Sequence, residues 1–498
     1  MFATIIFFVA FFVCLCVFRY VIKPKLKIAR AIDKLPSPAS IPILGHTYLF
    51  YGTTPCETFI KGINYYEEYG PLCKAWVGVV PFVITGKPDY IEVIMKSSTN
   101  ISKGMGYDPL LPWLGDGVLL STGNKWFRRR KLLTPAFHFQ ILKDFVQIFI
   151  EKSEVLLHKF ENYSDGKEFD VYPIMLNYTL DIVAEASMNV KIDALTSTNS
   201  SYAKAIHLLC QHVMDIQLKP WIKIVNNPLF SYGREIKKNI SIVHNFTKKV
   251  IQERKKTLFS NIRQIEEHFG KKRRLCFLDI LLQGPDDDVG LTDSEIREEV
   301  DTFMFAGHHT TGTSISWTLF LLGNHPEIQE SVYEEIKSVL VNNKTPNNIE
   351  DLNELKYLEC VIKESLRLYP SVPIVMRKLS EDVYLDKFRV PKDCHMIFPI
   401  YSVHRSSEYW DNPDEFDPTR FYHANCTGRH PYCYIPFSAG KRNCIGQRFA
   451  MYAQKTVLAT ILKNYKVKSM TKLEDMKPTF EVVLKSCNGI NIVLEKRN

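Results

Sequence analysis

The chain has 498 residues, 46% of them hydrophobic, and a formal charge of +9. That apolar content excludes a disordered polymer and suffices for a large buried core. The positive excess does not read as a nucleic-acid stripe: Arg19, Lys23, Lys25, Lys27, Arg30 and Lys34, opposed only by Asp33, directly follow the first hydrophobic run.

No charged side chain occurs from Met1 to Phe18, and residues 1–22 approach the length of a bilayer-spanning helix. No basic segment precedes the run and no small-x-small site closes it, so an uncleaved anchor is predicted, not a signal peptide. Positive charge behind the span places the rest of the chain in the cytosol. Residues 23–45 read as a basic and proline-rich linker, with Pro36, Pro38 and Pro42 keeping its second half extended. On length alone the chain suits about two to four domains, though a single large core reaches this size. Its twelve cysteines show no framework spacing, which suits reduced thiols in a cytosol-facing compartment. Sequons at Asn100, Asn162, Asn199, Asn239 and Asn425 would go unused there.

Residues 73–85 read as two strands around a turn. Helical patterns then dominate to about residue 370. Trp126 and Arg130 share a helix face at i, i+4 within a basic run. A polar stretch, 284–290, reads as a solvated loop. Thr292 and Glu295 form a capping box that opens a helix running to about Gly323. Glu364 and Arg367 sit at i, i+3 on one face of a further helix. From Pro370 onward short strands, turns and prolines take over. The fold class is mainly α with minor β.

The segment Phe437-Ser-Ala-Gly440-Lys-Arg442-Asn-Cys444-Ile-Gly446 carries the most chemistry. Its glycines let the backbone turn sharply and pass close under a flat ligand. An apolar run at helical density comes next, so Cys444 precedes a helix N-terminus, which stabilises a thiolate. Arg442 suits an anionic group, and Phe437 suits covering the sulfur. A structural zinc site built on Cys426, Cys433, His423 or His430 lacks the paired short spacing. No C-x-x-C-H occurs, so c-type haem attachment is not indicated.

This decapeptide resembles the haem-binding loop of the cytochromes P-450, F-x-x-G-x-R-x-C-x-G, at every fixed position. The resemblance implies the fold of that family with one N-terminal transmembrane helix, and residues 46–498 as its haem-thiolate catalytic domain. It implies haem b held by Cys444 as axial thiolate and metal ligand, with Phe437, Gly440 and Gly446 shaping the loop. Arg442, Trp126, Arg130 and Arg377 are the implied haem propionate contacts. Glu364 and Arg367, with Arg420, resemble the family's buried ion cluster that locks the loop. Residues 35–45 resemble the proline-rich hinge of microsomal members.

Glu299-Val-Asp-Thr-Phe-Met-Phe-Ala306-Gly307-His308-His309-Thr310-Thr311 resembles the oxygen-binding groove of family 4, often written E-V-D-T-F-M-F-E-G-H-D-T-T. Gly307 implies room over the haem, and Thr310 a role in bringing protons for O–O cleavage. Two positions depart from the motif. Ala306 replaces the glutamate that can esterify a haem methyl, so the haem is expected to be bound without an ester. His309 replaces the acid of the acid–alcohol pair. A histidine that titrates near neutral pH can relay protons, while water alone can do the same; both readings stay open.

The implied activity is insertion of one atom of O₂ into a lipophilic substrate (a fatty acid, another lipid or a xenobiotic) with NADPH-derived electrons. Expected partners are a flavoprotein NADPH reductase, cytochrome b5 and membrane lipid, with no nucleic acid. Lys125, Arg128, Arg129, Lys131 and Lys441 are candidates for a basic docking face. Trp221, Leu229 and Phe230 are candidates for dipping into lipid. Substrate walls are expected from 109–117, 211–230, the Ala306 region, 372–376 and the turn near Cys487. The expected location is the endoplasmic reticulum membrane, single-pass, with the catalytic domain facing the cytosol. Two alternatives stand beside this: a reductase-independent haem-thiolate isomerase or dehydratase, and a haem-binding membrane protein without turnover.

Overall fold

The computed structural model describes residue 12 and residues 23–163, 166–197, 201–218, 222, 226–265, 276–283, 290–341 and 345–497. The expected anchor therefore lies, but for Phe12, outside the described residues, as do Trp221 and most of the 284–290 loop. Among the described residues no helix is long and apolar enough to cross a membrane.

The basic half of the expected linker folds. Among the described residues helix α1 spans Lys23–Ile32. Ile28 and Ile32 are buried in one apolar cluster with Val83 and Val390. The chain behind it is tied down as well: Lys74 N–H donates to Pro36 O at 3.0 Å. In the proline-rich half residues 36–40 have no regular structure, and the extended reading is corrected at Ile41–Gly45, a tight turn closed by Ile41 N–H to Gly45 O at 3.0 Å and Gly45 N–H to Ile41 O at 2.7 Å.

The main helices are α2 (Pro55–Tyr69), α3 (Gly123–Leu133), α4 (Phe139–Glu161), α5 (Tyr172–Met188), α6 (Ser201–Leu218), α7 (Ser231–Ile265), α8 (Asp293–Asn324), α9 (Lys356–Leu368) and α10 (Gln447–Asn464). The strands are short: β1 (Leu72–Val77), β2 (Val80–Thr85), β3 (Phe169–Asp170), β4 (Val375–Lys378), β5 (Val383–Leu385), β6 (Phe388–Val390), β7 (His395–Phe398), β8 (Tyr465–Ser469), β9 (Pro478–Glu481), β10 (Val483–Ser486) and β11 (Asn491–Lys496). The hairpin expected over 73–85 is β1–β2, in register from Leu72 opposite Thr85 to Val77 opposite Val80. Its sheet has the order β1–β2–β7–β4, with β7 parallel to β2. Separate pairings join β9 to β10, β5 to β6, and β11 to both β3 and β8.

Helix α8 forms the axis of the core. The expected capping box is present: Glu295 N–H reaches Thr292 Oγ1, and the Glu295 carboxylate accepts from Thr292 N–H. Beyond its first turn α8 is buried nearly throughout. It lies close against α5, where a Cβ on Gly307 would stand 2.9 Å from Val183 Cγ2 and one on Gly312 2.8 Å from Thr179 Oγ1. Thr179 Oγ1 also donates to the His308 carbonyl at 2.9 Å. Ser314 Oγ bonds Gln454 of α10 at 2.6 Å, and Trp317 Nε1 donates to Leu484 O in β10 at 2.8 Å. These ties fix α8 against the helix behind the Cys444 loop and the hairpin beside it.

Candidate functional site

Gly440 sets the shape of the Cys444 loop. Its φ is +68°, and a Cβ there would overlap the Met95 carbonyl, so no other residue fits without displacement. Cys444 N–H then bonds Phe437 O at 2.9 Å, folding the loop back on itself two residues before Gly446 caps α10. The Cys444 sulfur is walled by protein yet open to an interior cavity. Burial pushes its thiol up, while the Gly446 backbone N–H and the Arg130 guanidinium favour the thiolate.

Thr310, Thr311, Ala306 and Gly307 of α8 line the same cavity, together with Phe437, Trp126, Val372, Ile374 and Met376. Thr310 is held at two points: its hydroxyl donates to Ala306 O at 2.7 Å, and its carbonyl accepts from Ser371 Oγ at 2.8 Å. Of the expected substrate walls, Leu110, Val213, Gln217, Ala306 and 372–376 contribute. Cys487 does not line the cavity; Phe480, Val482 and Val483, at the tip of β9–β10, do.

One rim of the cavity is cationic. Arg442 is buried beside Trp126, its guanidinium 5.3 Å from the ring centre, and donates to Leu119 O at 2.7 Å. Among the described residues its Nε has no hydrogen-bond partner. Burial, Arg377 and Arg130 together push Arg442 down to about 9. Arg377 is 2% exposed, and among the described residues its side chain bonds a backbone carbonyl, that of Met376. Arg130 clamps the loop itself, donating to Asn443 O and Oδ1 at 2.8 Å each. A further cation, Lys103, was not legible in the sequence. It pairs by β-bridge with Arg377, and burial with Arg377 and Arg442 pushes its ammonium well below the ordinary value. None of these four forms an ion pair among the described residues. Two buried and two half-buried cations, clustered with no carboxylate paired to them among the described residues, suit an anionic ligand.

His309 stands elsewhere. It does not line the cavity, it is 4% exposed, and its ring packs beside Phe305 and His308. Burial first, then His308, Lys485 and His207, hold it well below the ordinary histidine range. That shift favours the uncharged ring, and Nδ1 makes no hydrogen bond among the described residues. The expected basic face is corrected at Arg129. Arg129 is buried, bonded to Glu295 at 2.6 Å and 3.5 Å from Glu299. Lys125 pairs with Asp116 at 2.9 Å. Arg128, Lys131 and Lys441 are exposed.

Behind the loop the expected ion cluster is assembled. Arg367 holds Glu364 through two bonds of 2.7 Å with both side chains fully buried, and Arg420 Nε lies 3.4 Å from Glu364. Arg367 also donates to the carbonyls of His404, Pro413 and Glu415.

A flat macrocycle with two acidic arms and an iron needing one sulfur ligand meets these demands together: a cysteine at the cavity wall, a cationic rim, apolar faces and a glycine-shaped loop. The site is that of a haem-thiolate oxidoreductase. The chain matches the family described as Cytochrome P450 over residues 35–492. It is 42% identical to cytochrome P450 4V2 of Homo sapiens over 465 residues, 92% of this chain and 88% of that protein. It is 39% identical to cytochrome P450 4c3 of Drosophila melanogaster over 493 residues, 96% of this chain and 92% of its relative. A third relative is cytochrome P450 4c21 of Blattella germanica, 38% identical over 476 residues, 94% of each chain. The chain belongs to the cytochrome P450 family, whose cofactor is haem b on a cysteine thiolate and whose activity is monooxygenation.

Proposed function

We propose that this protein is a membrane-anchored monooxygenase that takes NADPH-derived electrons from a flavoprotein reductase and hydroxylates a lipophilic substrate. The observation that carries this reading is the apolar cavity with Cys444 and Thr310 in its wall and an unpaired cationic rim. Bound haem supplies the oxygen-activating chemistry; the chain supplies position, dryness and protons. Cys444 furnishes the axial thiolate. Arg442, Arg377 and Lys103, with Trp126, take the propionates, and Arg130 keeps Asn443 and hence the loop in place.

Thr310 Oγ1 is the proton-handling group on the α8 side. Because its hydrogen is donated to Ala306 O, Oγ1 presents its lone pairs to the cavity and would accept a hydrogen bond from a water or protonated group there, orienting that donor. His309, whose charged form burial disfavours, serves through Nδ1 as a hydrogen-bond partner for water. The apolar lining excludes bulk water and favours a substrate such as a fatty acid, another lipid or a xenobiotic. Exposed Leu229 and Phe230 support contact of that loop with lipid. The uncharged run before residue 19 supports a single-pass anchor in the endoplasmic reticulum with the domain in the cytosol. Exposed Arg128, Lys131 and Lys441 suit an acidic electron donor, reductase or cytochrome b5.

The test is the carbon monoxide difference spectrum of the reduced, membrane-expressed protein beside Cys444→Ser. A strongly red-shifted Soret band lost in the variant is expected. Reductase-driven NADPH consumption with added lipids then separates this reading from a peroxide isomerase or a haem sink. A neutral-ligand band in the unmutated protein would sink the thiolate assignment.

A further inference from the structure

Two cysteines far apart in sequence meet beside the cavity. Cys56 and Cys487 are bonded as a disulfide, with a sequence separation of 431 and a Cα–Cα distance of 6.5 Å. Cys56 lies in the first turn of α2, and Cys487 comes directly after β10. Cys487 N–H donates to Lys477 O at 3.0 Å, so this cysteine closes the base of the hairpin whose tip lines the cavity through Phe480, Val482 and Val483. Helix α2 packs along β9. The bond therefore staples the base of a cavity wall to a neighbouring helix. Among the described residues the other cysteines are free, and most are buried.

Both bonded cysteines are half-buried, within reach of small thiol reagents. Cys56 also sits at the positive end of a 15-residue helix, which favours its thiolate. A disulfide on a cytosol-facing domain is exposed to a reducing pool, and disulfides there are commonly transient and regulatory.

We propose that Cys56 and Cys487 form a reversible thiol–disulfide latch that pins β9–β10 to α2 and controls how fast apolar molecules reach the cavity. Closing uses a low-molecular-weight disulfide such as glutathione disulfide. The Cys56 thiolate attacks it, forming a mixed disulfide and releasing one thiol. The Cys487 thiolate then attacks the Cys56 sulfur and releases the second. The two protein thiols are oxidised by two electrons, the reagent disulfide is reduced, and both protons leave on the released thiols. Opening is the reverse, driven by reduced glutathione. The control of access rests on the cavity being the substrate site; the latch chemistry does not.

The test uses the full-length protein in membranes, equilibrated in reduced or oxidised glutathione, beside Cys56→Ser. Differential alkylation and peptide mass mapping are expected to find the Cys56–Cys487 link only in the oxidised sample. Hydrogen exchange across residues 476–488 is expected to slow roughly fivefold or more when the link is present. Uptake of 1-dodecylimidazole, followed by its Soret shift, is expected to slow in parallel. Cys56→Ser should match the reduced protein in both buffers. No linked peptide, equal exchange or equal uptake in the two redox states, or a redox response surviving in Cys56→Ser, would each overturn the latch. Mapping and exchange need no haem, so failure of the thiolate assignment and failure of the latch are read separately.

Discussion

At position 306 the chain carries a methyl group where the resembled family-4 motif has a carboxylate. No aspartate or glutamate is among the described residues lining the cavity, so no side chain there is equipped to esterify a haem methyl. All haem is therefore expected to leave the protein on acid–solvent extraction, and mass analysis finding haem retained on the polypeptide would contradict this. Gly440 is a second single-residue test. A methyl at a φ of +68° against the Met95 carbonyl must push the loop away from its place, whereas one at Gly446 meets only contacts of 4.0 Å. Gly440→Ala should thus load less haem per chain than Gly446→Ala, read as Soret absorbance against protein absorbance. Equal loading would remove the steric argument. These residues were legible because a loop under a macrocycle leaves few alternatives at each position. Lys103 was not, because its neighbour Arg377 is distant in the chain and only a β-bridge joins them. Arg129 offered a usable signal that the basic run concealed: with Trp126 and Leu133 it occupies one buried face of α3, at i+3 and i+7.

The elements that hold the site meet at α9. Glu364 is buried with two guanidinium bonds and a further one from Asp417 N–H at 3.0 Å. Burial raises its carboxyl, and Arg367 opposes that shift. Removing Arg367 leaves a buried carboxylate uncompensated and three carbonyls without a donor. Arg367→Ala is expected to lower stability by about 3–5 kcal/mol, measured as a lower denaturant midpoint. Arg367→Lys should recover little, since an ammonium has no planar fork for two parallel bonds. A midpoint unchanged in Arg367→Ala would show that the cluster is not what holds α9 to the segment before the loop. Among elements, α8 and the β1–β2 hairpin were readable from a capping box and from alternation around a turn. Helix α1 was not, because its burial depends on partners 50 and more residues away, and its basic residues read as a solvated run. The β9–β10 hairpin escaped for a similar reason: strands of four residues carry too little periodicity to announce a cavity wall.

Over the whole molecule, buried titratable groups pull stability in opposite directions with pH. Burial pushes His308 down to about 4 and His404 to about 3, against an ordinary 6.5. Between 6.5 and those values the unfolded chain binds the extra proton, so stability falls as pH falls through that window. Each ring resists charging by roughly 3–5 kcal/mol. At His404 the cause is visible: Nε2 accepts the Ile435 N–H at 2.9 Å, two residues before Phe437, and a proton there breaks the bond. Glu299 and Asp301 act with the other sign. Burial raises both to about 7, from 4.5 and 3.8. The folded chain then holds the extra proton, and stability rises as pH falls from 7 to about 4. Asp301 is the plainer case: burial outweighs the Thr247 hydroxyl and Arg297, whose Nε is 3.8 Å away, while the His244 ring at 3.6 Å is itself held below the ordinary histidine range by burial. The two pairs offset each other from pH 6.5 to about 4.5, where Glu299 drops out; Asp301 still offsets one histidine down to about 4, below which His404 alone of the four contributes. Denaturant midpoints taken across this range should therefore show a plateau followed by a loss below about pH 4.5. Asp301→Asn removes one offsetting group, so its curve should gain stability above pH 7 and begin to decline nearer pH 6.5. A variant curve parallel to the unmutated one would mean that Asp301 is ionised and compensated in the folded protein, contrary to the upward push of its burial.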